Sequence, residues 1–413
     1  MCFVDHIPAN LISRLQNVNT NIKERGIKRF DRDGHDIVSG YSYGEFYDWD
    51  LYFECIYLSY YGVATFCQTN VKSFLKQQYV NGFVPRTLIG NHGMTFQHVK
   101  PFLAQTVWLG YQQSGTLEWI KEREGLGYPY FSEHTSYYEK LKKSMDYWFW
   151  YQDYDKNGLP VWDSADHSGM DNQDSRAGRI RECFCEGVDL ASYLIREMRA
   201  LARIAEALGH EEDARTCREH AIRLADLVNS VFWDSQDGFY YDRHEVSGER
   251  ISVKSVAGFT PLWAGIVPKE RAQRLIEEHL FNEQEFWLAY PVSGYARTEP
   301  DYVQAPWPGP NCNWRGTTWI PLNYMIVHAL RDYGYQDKAR ELVEKTFDLV
   351  YRRNPVTREY YNAETGSGQG LDPFWGWSAL AYFMGLEYDL NYNPMDLDGT
   401  DVKPLAVDCL GME

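Results

Sequence analysis

Four aspartates stand within residues 162–176, and carboxyl groups clustered in this way could carry acid–base chemistry. Such a cluster usually forms a solvated loop, and a cation site is a second interpretation, although the spacing differs from that of an EF-hand loop. A third interpretation is a single buried acid. Asp171, next to Met170 and close to Gly169, suits it best, because an apolar setting raises the pKa of a carboxyl group until it holds a proton for donation.

A second carboxylate, Glu359, precedes a glycine-rich stretch and the tryptophan pair Trp375 and Trp377. The glycines resemble a phosphate loop only in composition, since no G-K-[ST] sequence follows them. We predict instead a mobile glycine-rich lid between the carboxylate and the tryptophans. Glu364 is the competing carboxylate, and its place in a turn before Gly366 predicts exposure to solvent.

Residues 47–53 place an aromatic ring beside a carboxylate at a predicted helix start, with Trp49 followed by Asp50. One interpretation is a helix N-terminus whose acidic residues lie near the helix dipole. The other is a stacking ring beside a carboxylate that accepts hydrogen bonds from two sugar hydroxyls. The local sequence favours neither.

Residues 313–319 carry Trp314 and Trp319, which are five positions apart and do not share one helix face. They could therefore form different walls of a pocket, with Arg315 between them binding an oxygen-rich ligand. The alternative is a helix cap packed on rings.

The sequence lacks the motifs that zinc proteases and serine hydrolases need for catalysis. His92 and His98 do not have the H-E-x-x-H spacing of zinc proteases, and no G-x-S-x-G sequence is present. We expect no cofactor and no metal.

Composition narrows the class of partner. The formal net charge is −17 with a pI near 5.1, which disfavours nucleic acid and anionic membranes as partners. Aromatic residues make up 16% of the chain, including 14 Trp and 31 Tyr, more than a core needs and typical of clefts that stack on flat ligand faces. A small carbohydrate is the expected ligand, and a homo-oligomer is left open.

The N-terminus and the cysteines predict the compartment. No basic region followed by an apolar run precedes the first predicted helix, so we expect no signal peptide. The eight cysteines are scattered, with Cys183 and Cys185 in a C-x-C rather than a C-x-x-C arrangement. A cytoplasmic protein without disulfides is the prediction.

Hydrophobic periodicity predicts an all-α chain of helical hairpins. The helical segments are predicted at residues 8–24, 50–64, 66–80, 101–115, 132–155, 186–209, 211–233, 254–266, 268–281, 314–334, 336–353 and 373–388. Short turns at Gly209 and Gly334 alternate with long aromatic connections. An open solenoid would show one fixed period, which is missing. We predict a single domain, residues 1–413, that forms an (α/α)6 toroid of six hairpins with its long aromatic loops on one face.

Several motifs together resemble glycoside hydrolase family 63 and the related trehalase family. They occur in family order from residue 49 to about residue 380: W-D-x-Y-F at 49–53, G-F-V-P-R at 82–86 with P-F-L-A-Q at 101–105, S-G-M-D-N at 168–172, N-W-R-G-T-T-W at 313–319 with N-Y at 323–324, and E-Y-Y-N at 359–362 with D-P-F-W-G-W at 372–377. The length resembles the compact members of the family, which include mannosylglycerate and glucosylglycerate hydrolases.

The resemblance implies the toroid, inversion at the anomeric carbon and the roles of two carboxyl groups. Asp171, from the S-G-x-D motif, would be the general acid, and Glu359, from E-Y-Y-N, the general base. The implied sugar pocket and the further substrate contacts that we predict comprise Trp49, Asp50, Phe53, Arg86, Gln105, Arg176, Trp314, Arg315, Trp319, Tyr360, Trp375 and Trp377.

The prediction is therefore an inverting, exo-acting α-glycosidase that hydrolyses a small α-glucoside or α-mannoside, of the oligosaccharide or glycosylglycerate type. Two alternatives stay open. A sugar 2-epimerase shares the toroid but uses histidines as acid and base, and no suitable His pair stands in the loops. A non-catalytic sugar-binding protein would keep the tryptophans but would not need both carboxylates.

Overall fold

A computed structural model describes residues 8, 10–30, 34–41, 45–88, 96–124, 135–179, 184–306 and 312–398 of the chain. His92, rejected above as a metal ligand, lies outside the described residues. No helix among the residues described is both long enough and apolar enough to cross a bilayer.

Helices make up most of the regular structure. The α-helices are α1 (Leu11–Asn21), α2 (Asp48–Ser59), α3 (Thr65–Lys76), α4 (Leu103–Ser114), α5 (Tyr137–Tyr151), α6 (Ala165–Ser168), α7 (Asp174–Ala177), α8 (Val188–Ala207), α9 (Glu211–Leu227), α10 (Thr260–Trp263), α11 (Lys269–Arg274), α12 (Ile320–Asp332), α13 (Gln336–Phe347) and α14 (Met384–Leu390). Four helices continue as π-helical turns at Ile22–Gly26, Val228–Phe232, Leu275–Leu280 and Asp348–Arg352, and 3₁₀ turns lie at Glu118–Lys121, Val256–Phe259 and Trp377–Tyr382.

The strands are short and antiparallel. They are β1 (Ile27–Phe30), β2 (His35–Val38), β3 (Val161–Trp162), β4 (Cys185–Glu186), β5 (Trp233–Asp234), β6 (Phe239–Tyr240), β7 (Asp242–His244), β8 (Arg250–Ile251), β9 (Tyr360–Tyr361) and β10 (Gly368–Gln369). One sheet has four strands in the order β3-β4-β7-β8, and the pairs β1-β2, β5-β6 and β9-β10 stand alone. Strands β6 and β9 lie in the long aromatic connections that follow helices α9 and α13.

The two tight helical hairpins form as predicted. Helix α8 ends two residues before Gly209, which has a φ of +79°, and α9 begins at Glu211 with three acidic residues in its first turn. Gly334, with a φ of +86°, separates α12 from α13 in the same way. A left-handed residue closes a helix at little cost only when it is glycine, and acids near a helix N-terminus favour its dipole.

Helix α12 is buried on all sides along most of its length, whereas helix α13 is buried along one face. Every residue of α12 from Ile320 to Leu330 is buried, whereas α13 buries a stripe of Ala339, Leu342, Val343 and Thr346. A helix that is apolar on all sides belongs inside, and an amphipathic one covers it.

Helix α12 starts later than predicted. It begins at Ile320 instead of residue 314, because Trp319 is extended (φ −119°, ψ 124°) and Pro321 occupies the first turn, where its missing N–H has no intrahelical partner to lose. The segment 313–319 is therefore a loop.

The chain divides into two compact units. Unit 1 comprises Met1–Arg14, Asp155–Tyr193 and Leu224–Asn393, and unit 2 comprises Leu15–Tyr154, Leu194–Arg223 and Pro394–Glu413. Each unit is described by itself below.

Asn323 is a buried polar anchor of unit 1. Its Oδ1 accepts from the backbone N–H of Val292 at 2.9 Å, and its Nδ2 donates to the carbonyl of Pro291 at 2.8 Å and to the Thr346 hydroxyl at 3.0 Å. These bonds tie a loop to helices α12 and α13.

Asn323→Ala is expected to lower the free energy of unfolding by about 2–4 kcal/mol, because two buried backbone groups lose their partner. Urea denaturation followed by circular dichroism measures the change. The matched control is Asn21→Ala, whose Nδ2 donates only on the exposed side of α1, with an expected change within about 0.5 kcal/mol. Equal effects of the two substitutions would contradict the anchoring role.

Candidate active site

Glu359 lies in unit 1, and hydrogen-bond donors hold both oxygens of its carboxylate. The side chain is nearly buried, with 3% of its surface exposed. The backbone N–H of Leu371 donates to Oε2 at 2.7 Å, and the thiol of Cys312 donates to Oε1 at 3.3 Å. Donors of this kind stabilise the ionised form of a carboxyl group, the form that a general base needs.

The glycine-rich stretch folds back over this carboxylate. Strand β9, which follows Glu359, pairs with β10 so that Gly368 opposes Tyr361. The turn returns the chain to Gly370, which has a φ of +72° and lies so close to Glu359 that a Cβ atom there would overlap Oε2. The predicted position of the glycines beside the carboxylate is found, and the predicted mobility stays a prediction.

Glu364 is exposed, as the sequence predicted. It accepts a hydrogen bond from the Tyr302 hydroxyl at 2.9 Å and lies 3.6 Å from Arg297. Its exposure at the surface distinguishes it from Glu359, which is buried.

Asp171, also in unit 1, is half-buried in the turn between α6 and α7. Gly169, with a φ of +85°, ends α6, and the side chain of Met170 is fully buried beside Asp171. The sequence predicted a buried carboxyl group at this position, whereas Asp171 is half-buried, and its role as the acid stays a prediction.

The side chains after Asp171 bind the segment that carries Cys312. Asn172 accepts from the backbone N–H of Trp314 at 2.7 Å and donates to Oδ1 of Asn313 at 3.2 Å. Gln173 donates to the carbonyl of Trp314 at 2.8 Å. Residues 312–314 are therefore hydrogen-bonded to the Asp171 turn on one side and to Glu359 on the other.

Arg176 makes buried ion pairs, and its role as a substrate contact stays a prediction. Its side chain is 1% exposed, and its guanidinium pairs with the carboxylates of Asp189 and Asp242 and contacts Sδ of Met170 at 3.7 Å. Asp189 also accepts from Trp162 Nε1 at 2.8 Å. A buried arginine with two carboxylate partners holds helix α7, and through it the Asp171 turn.

The aromatic residues near Glu359 pack on one another. The rings of Trp314 and Trp319 stack at 3.5 Å with an angle of 6°, and Tyr360 continues the stack at 4.7 Å from Trp319. Trp377 meets Trp319 edge-on at 5.7 Å and donates from Nε1 to the carbonyl of Glu359 at 3.1 Å. The prediction that Trp314 and Trp319 wall different sides of a pocket is wrong, because each covers the face of the other.

The predicted substrate contacts Trp314, Arg315, Trp319, Tyr360, Trp375 and Trp377 of unit 1 all stay predictions. Arg315 is half-buried, its N–H donates to Oδ1 of Asn313 at 3.0 Å, and its carbonyl accepts from Tyr295 at 3.0 Å. Trp375 is buried.

In unit 2 the start of helix α2 surrounds a buried lysine, Lys100, that the sequence analysis missed. Asp48 accepts from the backbone N–H of Lys100 at 2.6 Å and from its Nζ at 3.0 Å, and that Nζ lies 5.5 Å from the Trp49 ring centre. Burial raises the pKa of Asp50 well above its ordinary value, and the nearby Lys100 opposes this rise. No local spacing signals Lys100, which is 52 residues from Asp48.

The other predicted contacts of unit 2 make internal interactions. Arg86 donates to Gln97 at 2.7 Å, and Gln105 donates to the carbonyl of Pro101 at 2.9 Å while accepting from Arg196 at 3.2 Å. Phe53 is fully buried. Its ring lies within about 6 Å of three others, those of Trp49, Tyr52 and Phe102.

Phe53 thus packs in the aromatic core of unit 2. The predicted roles of Phe53, Trp49, Asp50, Arg86 and Gln105 as substrate contacts stay predictions. Glu197 anchors the helix that carries Gln105, because it accepts from two backbone N–H groups at the start of α4, at 2.5 Å and 3.1 Å. Burial raises the pKa of Glu197 to about 7.

Comparison with known proteins identifies the family. The sequence profile of the mannosylglycerate hydrolase MGH1-like glycoside hydrolase domain matches residues 43–378. The chain belongs to this family. The resemblance to glycoside hydrolase family 63 that the motifs predicted is thereby confirmed.

Relatives and solved structures agree on the fold. The mannosylglycerate hydrolase of Thermus thermophilus is 34% identical over 176 residues, which cover 42% of this chain and 39% of that relative. This chain thus matches less than half of the relative's length. The crystal structure of the GH63 mannosylglycerate hydrolase from another strain of Thermus thermophilus, in complex with glucose, superposes with a TM-score of 0.69 at 23% identity, over 90% of this chain and 99% of that one.

The neutral trehalase Nth1 from Saccharomyces cerevisiae superposes with a TM-score of 0.65 at 16% identity, over 90% of this chain and 79% of the trehalase. These likenesses confirm the predicted all-α (α/α)6 toroid.

Gly370→Ala is expected to lower kcat by about 100-fold for the α-glycoside hydrolysis that we propose for this chain, because the added methyl group displaces the Glu359 carboxylate by about an ångström. The matched control is Gly334→Ala, which has the same left-handed strain but nothing within 4 Å of its Cβ position. Steady-state kinetics and thermal denaturation of both variants measure the effect. A loss of activity no larger than that of Gly334→Ala would contradict the close packing of Gly370 on Glu359.

Proposed function

We propose that this protein is an inverting, exo-acting α-glycosidase that hydrolyses a small α-mannoside or α-glucoside, with residues 1–413 acting as one catalytic domain. The observation that carries the proposal is the Glu359 carboxylate, held by one donor on each oxygen. One of these donors, Cys312, lies in the segment 312–314, which is also hydrogen-bonded to the turn of Asp171. The family to which the chain belongs supports the assignment.

The proposed reaction is a single displacement. Glu359 takes a proton from a water molecule as its oxygen attacks C1 of the sugar, while Asp171 donates a proton to the glycosidic oxygen. The bond from C1 to the leaving oxygen breaks as the bond from C1 to the water oxygen forms. Inversion requires a separation of roughly 6.5–9.5 Å between the two carboxyl groups to leave room for the water.

The hydrogen-bond partners of Glu359 support its role as the base. Glu359 accepts two hydrogen bonds, which favour the carboxylate. Asp171, half-buried in its turn, is the carboxyl group that we propose holds the proton. An acid and a base that act together at neutral pH need opposite protonation states.

We propose mannosylglycerate or glucosylglycerate as the first substrates to test, followed by short α-linked oligosaccharides. Support comes from the mannosylglycerate hydrolases to which the chain is similar. A panel of α-mannosides, α-glucosides and their glycerates, analysed for free hexose, decides among them. Isomerised sugar would indicate an epimerase, and binding without turnover a sugar-binding protein.

A cytoplasmic location is also proposed. Its support is that Cys55 and Cys67 are buried thiols outside any disulfide. Such thiols are typical of proteins from reducing compartments.

Asp171→Asn and Glu359→Gln are each expected to lower kcat on the best substrate of the panel by at least about 100-fold. On α-mannosyl fluoride or α-glucosyl fluoride, Asp171→Asn should regain much of its rate, because fluoride leaves with little protonation. Glu359→Gln should stay inactive, since the water still lacks its base. Glu364→Gln, an exposed carboxylate of the same hairpin, is the matched control and should keep wild-type rates. Recovery of the hydrolysis rate of Glu359→Gln on either fluoride would contradict the assignment of Glu359 as the base.

Proton NMR of the first turnover is expected to show the β-anomer of the released sugar from an α-linked substrate, because one displacement inverts C1. Initial formation of the α-anomer would contradict an inverting mechanism.

A further inference from the structure

The thiol of Cys312 touches the carboxylate that we propose as the base. Its Sγ lies 3.3 Å from Oε1 of Glu359, while the backbone N–H of Leu371 donates to Oε2. Cys312 is half-buried, and Glu359 is buried. The two donors therefore fix the rotation of the carboxylate about its last bond.

The position of Cys312 is set by its neighbour, Asn313. This side chain is fully buried and donates from Nδ2 to the carbonyls of Val303 at 2.8 Å and Ala305 at 2.9 Å. The backbone carbonyl of Asn313 accepts a hydrogen bond from Nε1 of Trp319 at 2.9 Å. A backbone held at this point cannot move the thiol away from Glu359 without breaking several buried hydrogen bonds.

We propose that Cys312 is a positioning residue for Glu359: its S–H donates to Oε1 and orients the carboxylate so that the other lone pairs of the group face the attacking water. This inference rests on the proposed function. Cys312 does not touch the reacting atoms in this role and acts through Glu359.

A thiol is suited to this role because it is a weak donor. A strong donor would stabilise the carboxylate so far that it became a poorer base, whereas no donor would leave it free to rotate and easier to protonate. At position 312 a serine hydroxyl is a stronger donor than the thiol, and alanine has no side-chain donor. The variants Cys312→Ser and Cys312→Ala therefore form a graded series.

The test is the pH dependence of kcat/KM on α-mannosyl or α-glucosyl fluoride, whichever the wild type hydrolyses faster. With this leaving group the acidic limb reports the ionisation of the base. Cys312→Ala should move the acidic limb to higher pH by about one unit and lower the plateau about tenfold, because the charged form has lost a donor. Cys312→Ser should hold the limb at or below the wild-type position.

Cys217→Ala is the matched control, since Cys217 is also a half-buried cysteine, on helix α9. Its profile should superimpose on that of the wild type. A Cys312→Ala profile identical to the wild type, or an upward shift shared by Cys312→Ser, overturns the proposal.

A second measurement uses the unaltered chain, so that a folding defect of a variant does not decide the outcome. In methyl methanethiosulfonate the Cys312 thiolate attacks the sulfenyl sulfur, a Cys–S–S–CH₃ bond forms and methanesulfinate leaves. The product has no S–H donor and crowds Glu359. Wild-type activity should fall and return with dithiothreitol, while Cys312→Ser resists. Full activity with Cys312 labelled, as shown by mass spectrometry, overturns the inference.

Glu359→Gln separates this inference from the function on which it rests. An inactive Glu359→Gln together with an unshifted Cys312→Ala removes the role of Cys312 and leaves the glycosidase assignment standing. If Glu359→Gln is active, Glu359 is not the base, and the role of Cys312 fails with it.

Discussion

The hydrogen bonds of the buried Asn313 side chain are the interaction on which the arrangement of unit 1 around Glu359 depends. Its Nδ2 binds the carbonyls of residues 303 and 305, and its Oδ1 accepts from Asn172 and from the N–H of Arg315. A fully buried amide must satisfy every polar atom, because each one left without a partner costs about 1–3 kcal/mol. The loops that meet at Asn313 therefore cannot shift separately, and neither can Cys312, which precedes it.

The aromatic residues near Glu359 extend this constraint. The composition predicted rings that stack on a ligand, yet Trp314, Trp319 and Tyr360 stack on one another, and Trp377 binds the Glu359 carbonyl. Flat apolar faces gain as much from covering each other as from covering a sugar, and their polar tips still need partners. The stacked rings and the hydrogen bond from Trp377 hold the backbone of Glu359 in place.

Buried charges fix the supporting elements in the same manner. Arg176 pairs with Asp189 and Asp242 in unit 1, and Lys100 pairs with Asp48 in unit 2. Removing one member of such a pair leaves an uncompensated buried charge and costs about 3–5 kcal/mol. Arg176 and Lys100 therefore hold their carboxylate partners in place within units 1 and 2 respectively.

The sequence by itself determined the helices, the tight hairpins and the two candidate carboxyl groups. Periodicity, glycine at helix ends and acids at helix starts are local signals, and Gly209, Glu211 and Gly334 carry them within a few positions. Only the tertiary structure placed Cys312 against Glu359, Lys100 against Asp48 and the ring of Trp314 on that of Trp319. The first two pairs are separated by 47 and 52 residues, and packing between distant segments decides which polar groups are buried together and which rings face each other.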